Sequence, residues 1–168
     1  AGSVELLRTS TLAAHVDVPV TSSSLMQIPL AQATLPPGKR VGVLSVHAGR
    51  ITPEHWDAVG APHDTPLMGT EHGTEFTRVM LNDEPELDYE LACREIVEAG
   101  VELVRRHPEV GAIVCENHNM APYAKALNDR LRMPIYTVYS FVTWFHSGLA
   151  PRSFGYPTSE DAEVWRER

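Results

Sequence analysis

The chain has 168 residues, 43% of them hydrophobic, enough for a real core in a domain-sized unit. Charged residues make up 21%, and 14 Lys+Arg against 22 Asp+Glu leave a formal charge of −8, which excludes a general binder of nucleic-acid backbones. No apolar run approaches a membrane span. The two cysteines, Cys93 and Cys115, form neither a disulfide framework nor a CxxC metal pair, so a reducing, cytoplasmic setting is expected.

Residues 4–14 read as helical and lead into an expected short strand, VDVPV, at 16–20. The hydroxyls of TSSS (21–24) are placed to cap a following helix, LMQIPLAQATL, which Pro36-Pro37-Gly38 stops. VGVLSV (41–46) is a continuous apolar run rich in β-branched residues, the pattern of a parallel strand buried on both faces. Thr52-Pro53-Glu54 begins a helix, with Thr at the cap and Pro at the first helical position. TPLMG (65–69) is a weaker strand, and Thr74 is expected to cap a helix running to about Leu81.

Residues 86–106 carry the clearest helical periodicity, with Ala92, Ile96, Ala99 and Leu103 on one stripe. The strand VGAIVC (110–115) follows, then a helix from about Met120 to Leu131, a strand in MPIYTV (133–138) and a last helix over 141–149. Strands alternating with helices through short connections predict a parallel α/β sheet with right-handed crossovers. Ligands of such sheets sit beyond the carboxyl ends of the strands. That rule selects TSSS, the HAGR turn at 47–50, ENHN at 116–119 and the YSFV segment at 139–142, and helix N-termini there favour anions.

Together, VPVTSSSLMQIPL (18–30), LPPGKRVGVLSV (35–46), ITPEHWDAVG (51–60), ENHNMAPYA (116–124) and WFHSGLAP (144–151) resemble the aspartate/glutamate/hydantoin racemase superfamily. Its closest branch carries VPVxTSSLLQxPL and, after a long helix, a strand followed by ECTNMPPYA. The resemblance implies parallel flavodoxin-like sheets in two pseudo-symmetric lobes with the active site between them. It divides this chain into residues 1–38 as a remnant of the N-terminal lobe, 39–132 as the second lobe, 133–152 as a strand and helix returning to the first lobe, and 153–168 as a polar tail. Racemases of the superfamily use two thiols on opposite faces of the substrate, because inversion requires a proton to return from the face opposite its removal.

Here the pattern departs from the family. Asn117 stands where the second cysteine is expected, and His118 where its neighbouring threonine is. An amide has no useful proton affinity and cannot act as a base. The place of the first cysteine falls at or before Ala1, and the family's first two strands, a βαβ unit of about 30 or more residues, would precede this sequence, which is the pattern of a natural short form, a part of a longer polypeptide or a remote divergent member. If that unit is absent, the exposed sheet edge is expected to be covered by a partner or by another copy, and the oligomers common in the family favour a homo-oligomer.

The chemistry is therefore expected to depart from the two-cysteine mechanism. His118 and His47 are the candidate proton-transfer groups, since imidazole titrates near neutral pH, and Asn117 faces the pocket in the thiol's place. Ser22, Ser23, Ser24, Ala48, Gly49, Asn119 and His146 are the candidate carboxylate-binding residues, although capping explains at least one serine and Asn119. Glu116 is assigned a structural role, and Cys115 a buried one. His47, His118 and His146 make an acceptable zinc shell in type, but nothing in their spacing requires one. The expected activity is that of a cofactor-independent isomerase or lyase acting at a carbon next to the carboxylate of a small molecule, without metal. The competing expectation is an inactive racemase-like ligand-binding or scaffold protein.

Overall fold

The computed structural model describes residues 6–154. The polar tail expected from 153 onward, and the first residues of the helix expected over 4–14, lie largely outside that range.

Four strands form one parallel sheet: β1 (Arg40–Ser45), β2 (Leu67–Gly69), β3 (Val110–Cys115) and β4 (Ile135–Tyr136), in the order β2-β1-β3-β4. Among the described residues seven α-helices accompany it: α1 (Thr9–Ala13), α2 (Ile28–Ala33), α3 (Pro53–Val59), α4 (Phe76–Asn82), α5 (Tyr89–Arg106), α6 (Ala124–Leu131) and α7 (Val138–Leu149). The α/β class and the all-parallel sheet expected from the sequence are present.

The two longest strands are buried on both faces, as their unbroken apolar runs required. Leu44, Ile113 and Cys115 face Ile96 and Leu103 of α5 and Leu127 of α6. Val41, Val43 and Val114 face the opposite layer, with Leu25, Ile28 of α2 and Trp56 of α3. Alternate residues of a strand thus feed two separate apolar layers, the period-2 consequence of pleating.

From β1 the chain moves to one side to form β2, then returns to the other side for β3 and β4. The neighbouring carboxyl ends of β1 and β3 therefore flank a topological switch point, where connections diverge and leave a crevice. Leu44 pairs with Cys115 in that register, so Ser45 and Glu116 emerge side by side.

Several elements differ from expectation. VDVPV forms no strand; Val16 and Val18 are 45% and 64% exposed. An alternating pattern does not make a strand without a neighbour to pair with, and Pro19 removes one ladder donor. The strand expected over 133–138 contracts to Ile135–Tyr136, because Thr137 becomes the N-cap of α7 and its N–H takes the Ser140 hydroxyl as acceptor at 3.0 Å. Thr74 does not cap α4, which has Glu75 at its N-cap. The carboxylate of Glu95, on α5, instead accepts the N–H groups of Thr74, Glu75 and Phe76.

Candidate functional site

β1 ends in Ser45, and the chain turns through Val46 and His47 into a short 3-10 segment, Ala48–Arg50. β3 ends in Cys115, and Glu116 and Asn117 lead into a 3-10 segment, His118–Tyr123. Between these tips lies a cleft of about 60 Å³ lined by Ser45, His47, Arg50, Met80, Glu116 and Asn117, among others. The crevice that topology calls for is thus present, and it holds polar groups from both strands. Tyr139, at the third tip expected to join it, is 74% exposed and does not line it.

His47 is half-buried, and its Nδ1 accepts the N–H of Gly49 at 3.1 Å. That bond needs the Nδ1 lone pair, so the neutral ring carries its hydrogen on Nε2. The Ala48 N–H is directed to the Glu71 carboxylate at 3.3 Å. The small turn that the sequence suggested as a carboxylate cradle therefore spends both these N–H groups inside the protein.

Asn117 is half-buried and caps its own turn, its Oδ1 accepting the Asn119 N–H at 2.9 Å. Its NH₂ is the end left for a ligand, and Asn117 lines the cleft. Asn119 is exposed and turns its side-chain NH₂ to the sulfur of Met80. His118 is exposed at the start of the 3-10 segment and does not line the cleft.

The serines are occupied differently from one another. Ser22 shares a hydrogen bond with the Thr9 hydroxyl. Ser23 is the N-cap of the 3-10 segment Ser24–Gln27 and accepts the Leu25 N–H. Ser24 is buried and donates to the carbonyls of Cys115 and Glu116, at 2.6 and 2.9 Å. His146 is exposed on α7. Among the described residues, no three of His, Cys, Asp or Glu are grouped so as to hold a metal ion, and His47, His118 and His146 are not gathered.

Two buried acids dominate the electrostatics. Cys115 is fully buried, and desolvation pushes its thiol up to about 12, so a thiolate there is inaccessible at working pH. Glu116 is 7% exposed. Burial raises its carboxyl above the ordinary value, while the Ser45 hydroxyl, donating to Oε2 at 3.2 Å, and the nearby His55 and His118 act in the opposite direction. Arg50 brings a cationic group to the same cleft. A larger depression of about 180 Å³ beside β2 is lined by Glu95, Glu98 and Glu102, which would repel the anion that Arg50 attracts.

Read from the sequence alone, Ser45 has no role and Glu116 a structural one, yet both line the cleft. The available signal was an acidic residue directly continuing a buried parallel strand, next to a serine ending its neighbour. No protein-family model matches the chain, and no curated protein matches it either.

Proposed function

We propose that this chain is a cofactor-independent enzyme of the isomerase or lyase type, acting at a carbon next to the carboxylate of a small molecule. The observation that carries the reading is the meeting of His47, Arg50 and Asn117 in one cleft at the β1/β3 switch point. Arg50 supplies the charge for a carboxylate, and Asn117 and the Nε2 hydrogen of His47 supply donors to it. The inaccessible thiol of Cys115 agrees with a mechanism that does not use paired cysteines.

The strand order, 2-1-3-4, fits the flavodoxin-like lobe of the aspartate/glutamate racemase superfamily, to which we assign the chain on its motifs. A cleft of about 60 Å³ is far below the roughly 300–1,000 Å³ of pockets for drug-sized ligands, which favours a short aliphatic acid over an aryl one. A homo-oligomer is part of the proposal. It is supported by α7, a nearly uncharged helix that leaves Tyr139, Val142, Trp144 and Leu149 at least half exposed.

A second reading, an inactive racemase-like binding or scaffold protein, is favoured by the commitment of Ser23, Ser24 and the 48–49 turn to internal hydrogen bonds. One experiment separates the two. Thermal melting with malonate, L-aspartate and L-malate should show stabilisation that Arg50→Ala removes. The same acids should then be followed for turnover by NMR, where His47→Ala should lower the rate by about a hundredfold or more. Stabilisation with no conversion would select the scaffold; neither effect would remove both readings.

A further inference from the structure

The group that moves the proton can be assigned as well, resting on the proposed function for the reaction. Neither imidazole is well placed for that role. His118 lies outside the cleft. His47 lines it, but with Nδ1 already accepting the Gly49 N–H, its remaining ring nitrogen presents a hydrogen rather than a lone pair.

Glu116 has the opposite character. Its backbone is fixed on both sides: its N–H donates to the Leu44 carbonyl at 2.8 Å, and its own carbonyl accepts the Ser24 hydroxyl at 2.9 Å. The side chain lines the cleft with His47, Arg50 and Asn117. Ser45, which accepts the His47 N–H at 3.3 Å, donates to Oε2 of the carboxylate and so ties its orientation to the same turn that carries His47.

A purely structural role accounts poorly for a carboxylate here. Burying a charge is costly unless a counter-charge is supplied, and among the described residues Glu116 forms no salt bridge with Lys or Arg. A glutamine would accept from Ser45 equally well without that cost. Perturbed acids in clefts are instead the usual mark of acid–base groups.

We propose that Glu116 is the acid–base residue of this cleft, taking a proton from the carbon next to the substrate carboxylate and returning it. In the forward step the C–H bond breaks and an O–H bond forms on the Glu116 carboxylate. The electron pair passes into the substrate as an enediolate, whose added charge faces Arg50, the Nε2 hydrogen of His47 and the Asn117 NH₂. The return step reverses each of these. Between the two, the carboxyl exchanges its hydrogen with water, so the substrate carbon acquires solvent hydrogen without net reaction.

The test is incorporation of deuterium from D₂O next to the carboxylate of L-aspartate, L-alanine, L-malate and methylsuccinate, followed by proton NMR on the intact chain. Wild type should exchange at least one of them. Glu116→Gln should lose about a hundredfold or more, and Glu116→Asp should recover part of that loss. The wild-type rate should rise with pH as a group above the ordinary carboxylate range deprotonates, and Glu116→Asp should shift that rise. Among the described residues, burial raises that position and the Ser45 hydroxyl, His55 from α3 and His118 from the β3 turn lower it, while His47 and Arg50 from the β1 turn line the same cleft.

Thermal melting controls for folding. Removing a buried acid should leave Glu116→Gln at least as stable as wild type above neutral pH. Exchange retained in folded Glu116→Gln but lost in His47→Ala or His118→Ala would overturn the assignment and leave the proposed reaction standing. No exchange by wild type with any of the four acids would overturn both.

Discussion

The hydroxyl of Ser24 lies 2.6 Å from the carbonyl of Cys115 and 2.9 Å from that of Glu116, joining the segment ahead of α2 to the tip of β3 across 91 and 92 residues of sequence. All three residues are buried. The contact makes the N-terminal layer part of the wall behind the cleft. Ser24→Ala leaves those two carbonyls without the hydroxyl and should cost about 1–3 kcal/mol in denaturant unfolding. Ser23→Ala, which removes a turn cap instead, should cost about 1 kcal/mol and leave hydrogen exchange at the Glu116 amide unchanged. Equal protection of that amide in wild type and Ser24→Ala would show that the contact does not hold the tip.

Cys115 tests whether the cleft is separated from the thiol beneath it. Its sulfur is inside the core and its ionisation is pushed up to about 12 by desolvation, whereas Cys93 is only half-buried on α5. Alkylation with iodoacetamide near pH 8 should label Cys93 and spare Cys115 until denaturant is added. Mass spectrometry of the peptides reads this directly. Rapid labelling of Cys115 in the folded protein would reopen a thiol mechanism.

What was legible in the sequence follows the range of the forces involved. β1 and β3 could be read from VGVLSV and VGAIVC because burial on both faces demands apolar side chains at every position, with no long-range detail needed. The Thr52-Pro53 start of α3 and the apolar stripe of α5 were likewise local. VDVPV misled because a strand is defined by its neighbour, and among the described residues no strand pairs with 16–20. The start of α4 misled because its free N–H groups are satisfied by Glu95, some twenty residues ahead on α5, and no local pattern announces that contact. At the site, His47 and Asn117 were legible as strand tips. Glu116 was not, since its importance lies in burial and in Ser45 from the adjoining strand.

The end of α5 gives a pH dependence of determinate sign. Glu102 accepts from Arg105 at 2.6 Å and Arg106 at 2.7 Å, and those bonds hold its carboxyl down at about 2, below an ordinary value of 4.5. A carboxyl lowered in the folded state binds fewer protons there than in the unfolded chain. Its stabilisation is therefore complete above the unfolded value and is lost as pH falls toward the folded one. The melting temperature of wild type relative to Glu102→Gln should be highest above about pH 5 and should converge on it near pH 2. The groups are at the surface, so the difference should be small and should shrink further in 1 M salt.

Gly100 decides between two effects of comparable size. It lies in the middle of α5, where replacing Gly by Ala ordinarily gains about 1 kcal/mol of helix propensity. Here α6 passes close by. A Cβ on Gly100 would stand 2.6 Å from Cδ2 of Leu127 and 3.2 Å from Cδ1 of Leu131. Leu127 is fully buried in the core cluster, so its methyl cannot swing into solvent to make room. Overpacking of this kind costs about 1–3 kcal/mol, which outweighs the propensity gain. Gly100→Ala should therefore destabilise the protein by about 1 kcal/mol, a reversal of sign from an exposed helix glycine. Shortening the opposing side chain in Leu127→Val should relieve the clash, so the double variant should be more stable than the sum of the two single effects by about 0.5 kcal/mol or more. Strict additivity in urea unfolding would show that α5 and α6 do not meet at this glycine.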